Sequence, residues 1–168
     1  NRKEFKILWL GGYNTWVDEE TLFNGLEYAM SKDPDIKFIS TGGSIEGLDN
    51  KTFDRFKAMI EKSKFRSSFD FLGWVENHEI PILLQNADCG INVDLPNYES
   101  VFGARNRLNE MMVNGLPIIT SLNSEISYDL KRENAALTFV PRDYKALGES
   151  ILRLKSNQDL ALKLSKNA

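Results

Sequence analysis

The stretch Asn92–Thr120, NVDLPNYESVFGARNRLNEMMVNGLPIIT, reads as the end of a buried strand, a loop closing at Gly103, a helix and the opening of a new strand. The helix carries Arg105 and Arg107 in its first turn and Glu110 further along, while Glu99 sits in the loop. The N-terminus of a helix is the positive end of its macrodipole and favours acids, so two arginines there need a negative partner. A phosphate held at the helix start would supply that charge.

Working outward, strands alternate with helices in both directions, with no internal repeat. Lys6–Leu10 is an apolar strand ending at Gly11-Gly12, and Asp18 caps a helix whose Leu22, Phe23, Leu26, Ala29 and Met30 fall at helical spacing. Ile36–Ser40 and Phe69–Leu72 are the second and third strands, separated by a helix with Phe53, Phe56, Met59 and Ile60 on its apolar stripe. A short helix is expected over about Asn77–Asn86, with Pro81 in its first turn, before the strand Cys89–Val93. Beyond Pro117–Thr120, a helix at Glu125–Arg132, a strand at Leu137–Val140 and helices at Asp143–Leu154 and Gln158–Leu164 complete the chain.

Six strands alternating with helices specify an α/β, doubly wound, Rossmann-like parallel sheet covered on both faces, with the expected order 3-2-1-4-5-6. In that order a ligand crevice opens at the carboxyl ends of strands 1 and 4. The Gly11-Gly12 loop and the loop from Asp94 to Gly103 then face one another across it.

Composition narrows the chemistry. The chain of 168 residues suits one domain, and a net charge of -3 gives no footprint for nucleic acid. It contains no apolar run long enough to span a bilayer, and Asn1–Phe5 lacks a signal-peptide pattern. One cysteine, Cys89, and one histidine, His78, leave no disulfide framework and no zinc or Cys-His site, and point to a cytoplasmic protein.

Several patterns fail on inspection. Gly11-Gly12 is followed by Tyr13-Asn14-Thr15-Trp16 and is no dinucleotide fingerprint; Gly42 and Gly47 have P-loop spacing, but Leu48-Asp49 replace the required Lys and Ser/Thr. Asp33-Pro34-Asp35 precedes strand 2 and so lies at the wrong end of the sheet for the crevice. Trp16 and Trp74 are expected in core or rim packing and His78 in solvent. Arg105 and Arg107 have two readings: ion pairs with Asp94, Glu99 or Glu110, or a bidentate contact of at least one with a ligand phosphate, which is the expectation adopted.

These residues resemble a known family. Glu110-Met-Met-Val-Asn-Gly115-Leu-Pro117-Ile-Ile119 is similar to the E-A-M-A-x-G-x-P-V-I segment of the group 1 glycosyltransferases of the GT-B fold. Phe71-Leu-Gly73-Trp74-Val75, the segment Leu83–Asp88, and Val140-Pro141-Arg142-Asp143 through Leu147 resemble three more of its segments, in the family's order. The likeness covers essentially the whole chain but only the family's C-terminal, donor-binding half. Two departures stand out: Glu99 precedes Glu110 by eleven residues rather than the usual eight, where Phe102 stands, and the first loop, Gly11–Val17, has no Lys or Arg.

The resemblance implies a nucleotide-diphospho-sugar as substrate (UDP-, GDP-, dTDP- or ADP-linked), no cofactor, no metal, and transfer with retention. Glu110 would bind the ribose, Glu99 the transferred sugar, and Trp74 and Val75 would border the base. Gly11, Gly12 and Asn14 of the first loop and the amides near Gly103 would lie along the donor, with Arg105 and Arg107 supplying the positive charge the loop lacks. It further implies that residues 1–168 form one donor domain of a two-domain hexosyltransferase, monomeric and inactive without the acceptor-binding N-terminal half. Membrane association is not expected from this half. Two other readings stay open here: an inactive binding module that kept the fold, and half of a nucleotide-sugar epimerase.

Overall fold

The computed structural model describes residues 4–168; Asn1, Arg2 and Lys3, where the signal-peptide reading starts, lie outside them. The strands are β1 (Phe5–Trp9), β2 (Ile36–Thr41), β3 (Phe69–Gly73), β4 (Cys89–Asn92), β5 (Ile118–Ser121) and β6 (Ala136–Phe139). The helices are α1 (Glu19–Lys32), α2 (Lys51–Glu61), α3 (Ile80–Asn86), α4 (Tyr98–Phe102), α5 (Asn106–Val113), α6 (Glu125–Arg132), α7 (Tyr144–Ser156) and α8 (Gln158–Asn167). All neighbouring strands pair in parallel in the order β3-β2-β1-β4-β5-β6, as the alternation of elements requires.

Side chains alternate across a strand, so β1 builds two cores at once. Ile7 and Trp9 point to one face and pack with Leu22 and Leu26 of α1, Phe56 of α2 and Leu147 and Ile151 of α7. Leu8, with Leu10 just beyond the strand, points to the other, against Leu84 of α3, Leu108 and Met111 of α5 and Leu130 of α6. Each fully buried Leu or Ile contributes roughly 1.5–3 kcal/mol, which is why the strands read as nearly continuous apolar runs.

Three local expectations are corrected. α3 begins at Ile80 rather than Asn77, because Pro81 has no N–H to donate back to Asn77 and the Glu79 carboxylate instead folds onto the Glu76 amide at 2.9 Å. The loop holding Glu99 contains a separate helix, α4, capped by Asn97, whose side chain accepts from the Ser100 amide. Arg105 is not in the first turn of α5; it is the N-cap, with non-helical φ -107 and ψ 71, so only Arg107 lies within the helix.

Candidate functional site

The strand order reverses between β1 and β4, and a cleft of about 490 Å³ opens at their carboxyl ends. One wall comes from the first loop, with Leu10, Gly11 and Trp16; another from Asn77, Ile80 and Pro81 at the start of α3; the third from Asn92, Arg105, Asn106, Arg107 and Glu110. The expected partner of the first loop was the loop from Asp94 to Gly103; the two meet only at its start, through the Val17–Asp94 bridge and the Leu95 amide on the Trp16 carbonyl, and the wall facing Gly11 across the cleft comes from Arg105–Glu110.

The first loop is held from below. Tyr13 drops into the core and stacks on Trp9, ring centroids 4.9 Å apart, and its hydroxyl meets Ser40 Oγ at 2.8 Å. The Gly11 amide donates to Thr41 Oγ1 and Trp9 Nε1 donates to the Gly11 carbonyl. The loop after β2 approaches so closely that a Cβ on Gly42, at φ +72, would lie 2.4 Å from the Gly11 carbonyl carbon and oxygen. Glycine is required there on both steric and conformational grounds.

The two arginines have different fates. Arg105 is buried, and its Nε donates to Asp94 Oδ2 at 2.8 Å in an ion pair shielded from solvent. Its Nη2 donates to the Glu99 carbonyl at 2.7 Å and its Nη1 to that of Ala104 at 3.3 Å. Arg107 crosses the cleft floor instead. Its Nη2 donates to the Gly12 carbonyl at 3.0 Å, tying α5 to the first loop, and its Cζ lies 3.7 Å from the centroid of the Trp9 ring. Its Nη1 is buried with no hydrogen-bond partner among the described residues. Burial pushes the Arg107 guanidinium down to about 10, opposed by the Asp94 carboxylate and reinforced by Arg105, so it remains charged at neutral pH.

Three buried side-chain atoms lack a partner among the described residues, and they share this end of the sheet: Arg107 Nη1, Asn92 Oδ1 and Asp94 Oδ1. Buried polar groups are almost always paired, and an unpaired one costs roughly 1–3 kcal/mol, more when charged. Of the three, Asn92 and Arg107 line the cleft, while Asp94 lies behind its wall.

Of the residues singled out from sequence, Gly11, Arg105, Arg107 and Glu110 line this cleft. Gly12 joins it through its bond to Arg107. Asn14 is buried with its side chain accepting from the Thr15 amide. Trp74 is 65% exposed and borders a neighbouring groove formed by residues 44–50, its indole edge reaching toward Gly12. Val75 follows it, half-buried. Glu99 is exposed on α4. The Gly103 amide donates to the Glu99 carbonyl at 2.8 Å as the end of α4, so it is occupied and not the amide a ligand would meet. Arg105 lines the cleft with one N–H of each nitrogen already donated, to Asp94, Ala104 and Glu99.

Sequence reading missed Trp9 and Tyr13, which look like ordinary core residues, and Asn92, which looks like a strand end. The signal for Asn92 and Asp94 was their spacing of two, which puts polar side chains on one face of an otherwise apolar strand. Among the described residues no group of three His, Cys, Asp or Glu is placed to hold a metal ion. No helix among them is long and apolar enough to cross a membrane.

Residues 20–168 match the family described as glycosyl transferases group 1. No curated protein sequence matches the chain. In fold it is similar to Anabaena HepE, whose crystal structure is in complex with UDP-glucose, with a TM-score of 0.82 and 16% identity over 98% of this chain and 42% of that one. Sucrose-phosphate synthase from Thermosynechococcus elongatus superposes with a TM-score of 0.76 and 20% identity over 99% of this chain and 40% of that one. For the C-terminal domain of the group 1 glycosyl transferase LpcC from Francisella tularensis the values are 0.75 and 14%, over 99% of this chain and 88% of that one. The chain thus spans about two fifths of the length of the first two. By its family match the chain belongs to the group 1 glycosyl transferases, and it has the fold of their C-terminal domain.

Proposed function

We propose that residues 1–168 form the domain that binds a nucleotide-diphospho-sugar donor in a two-domain hexosyltransferase, whose acceptor is held by a second, N-terminal domain. The observation that carries this reading is Arg107: a charged guanidinium at the switch-point cleft, seated on Trp9, with a buried Nη1 that has no partner among the described residues. A diphosphate at that point satisfies the donor and neutralises the charge in one contact.

Arg107 lies in the first turn of α5, where the Leu108 and Asn109 amides donate to the Arg105 carbonyl, the Arg105 side chain provides no cap, and the amides of Asn106 and Arg107 precede any intrahelical acceptor. These amides replace the occupied Gly103 amide as the main-chain contribution to the diphosphate. Glu110, on the cleft wall, accepts from the ribose hydroxyls, and Glu99 from those of the transferred sugar. Trp74 and Val75 border the base. As the bond from the anomeric carbon to the phosphate oxygen breaks, negative charge collects on the departing nucleoside diphosphate. Positive groups already in place there lower the barrier, an effect worth about 3–4 kcal/mol for a single preorganised donor in comparable sites.

The reading includes transfer with retention, without a metal or cofactor, in the cytoplasm, where a lone buried Cys89 is at home. HepE in complex with UDP-glucose supports the ligand class by shared fold. Calorimetric titration of the chain with UDP, GDP, dTDP and ADP tests it: saturable binding of at least one is expected, and no saturable binding of any would reject the assignment.

A further inference from the structure

We propose that Asp94 is a positioning residue for the sugar end of the donor site, acting through Arg105 on α4 and hence on Glu99. This rests on the donor reading above and extends it to a residue that touches no ligand.

α4 has five residues, too few for a stable isolated helix, and Ser100 is the residue it buries, while Tyr98 and Phe102 are 86% and 80% exposed. Apolar packing therefore does not hold it. What holds it is polar: the Asn97 cap at its start and Arg105 at its end, whose Nη2 clamps the Glu99 carbonyl at 2.7 Å. Arg105 in turn is aimed by Asp94, whose Oδ2 accepts from Arg105 Nε at 2.8 Å and from Asn92 Nδ2 at 3.0 Å.

Asp94 is itself fixed from three directions. Its amide donates to Ser121 Oγ at the end of β5, its backbone bridges to Val17 in the first loop, and the next amide, Leu95, donates to the Trp16 carbonyl. The cleft floor thus reaches Glu99 from Asp94 through Arg105 and the α4 backbone. The fit leaves no slack at Gly103, where a Cβ would lie 2.4 Å from Glu99 Oε1 and 2.9 Å from Arg105 Nη1.

The test compares UDP with UDP-glucose, running GDP, dTDP and ADP and their glucose conjugates in parallel, on the parent chain, Asp94→Asn, Glu99→Ala and the double variant. In Asp94→Asn the nucleoside diphosphate should bind within about twofold of the parent, while the added affinity conferred by glucose falls about tenfold, the value of one charge-assisted hydrogen bond. Glu99→Ala should lose the same increment, and Asp94→Asn in the Glu99→Ala background should lose nothing further. Independent, multiplying losses, or an unchanged glucose increment in Asp94→Asn, would overturn the proposal. If Asp94→Asn fails to fold, Asp94→Asn combined with Arg105→Met removes the buried charge altogether; it should fold and still lack the glucose increment, and full recovery of that increment would overturn the proposal. A parent chain that binds no nucleotide rejects the donor reading itself, a separate outcome from a parent that binds while Asp94 proves irrelevant.

Discussion

The Arg107 guanidinium sits over the indole of Trp9, 3.7 Å from Cζ to ring centroid, and joins the N-terminal turn of α5 to the end of β1. Trp9 is fully buried and stacks on Tyr13 from the first loop. A cation held against an aromatic face in a desolvated place is stabilised by about 2 kcal/mol, which offsets part of the cost of burying it. In the proposed function, an anionic ligand relieves the rest of that cost.

Arg107→Ala should therefore weaken a nucleoside diphosphate by about 10- to 100-fold, the loss of one charge-assisted contact of roughly 1.5–3 kcal/mol, while changing the affinity of the nucleoside little. Arg107→Lys should recover only part of it, since an ammonium cannot both reach the Gly12 carbonyl and present a fork to phosphate. Glu110→Gln should weaken nucleoside and diphosphate by the same factor. Isothermal titration against uridine and UDP, or the corresponding pair for the base that binds, measures all three.

The pH dependence follows from the lowered value of Arg107. With the folded-state group titrating near 10, below its ordinary range, the destabilisation from burying its charge is fully present at neutral pH. It is relieved only as pH rises through 10 toward the ordinary arginine range. Ligand binding runs the other way: diphosphate affinity should be insensitive to this group up to about pH 9 and fall by about tenfold per unit well above 10. Binding near pH 10 should take up a proton, detectable by calorimetry in buffers of different ionisation enthalpy. In Arg107→Met the proton uptake should vanish.

Arg105→Ala should act on stability. It leaves the Asp94 carboxylate buried without its cation, a change that costs about 3–5 kcal/mol in comparable pairs. Urea denaturation followed by circular dichroism should show the midpoint drop. The exposed pair Arg132–Asp129 serves as the control, since Arg132→Ala should cost less than about 1 kcal/mol.

Gly42 and Gly47 have similar dihedrals, φ +72 and +78, but only Gly42 meets backbone where a Cβ would go. Gly47→Ala should cost about 1–2 kcal/mol, the strain of the left-handed conformation alone. Gly42→Ala should cost clearly more, because the clash is with the Gly11 main chain and cannot be relieved by a side-chain rotation, and it should weaken ligand binding by displacing the first loop. Thermal midpoints of the two variants give the comparison directly.

Cys89 should be inert to thiol reagents in the native chain. It is buried in β4, and burial pushes its thiol well above the ordinary range, so little thiolate is present. Maleimide labelling should proceed only in denaturant.

Much of this protein was legible in the chain itself. The apolar runs at Ile7–Leu10, Cys89–Val93 and Ile118–Thr120, spaced by helical stripes, determine a parallel sheet covered on both faces, because only burial on both sides suits such strands. That sheet has its crevice at the carboxyl ends of β1 and β4, where the strand order reverses, and Gly11, Arg107 and Glu110 reach it by their position in the chain alone. α4 was not legible, since a five-residue helix with Tyr98 and Phe102 in solvent has no apolar stripe to read.

Nor could the chain say which arginine is taken up by a buried carboxylate. Arg105 and Arg107 are two residues apart and chemically identical; their difference comes from partners on other elements. Asp94, beyond β4, takes Arg105, and Trp9 and Gly12, at the end of β1, receive Arg107. Those partners become neighbours only once β1 and β4 lie side by side. The pairing of a buried charge is a property of through-space distance and solvent exclusion, and the tertiary structure alone decides it.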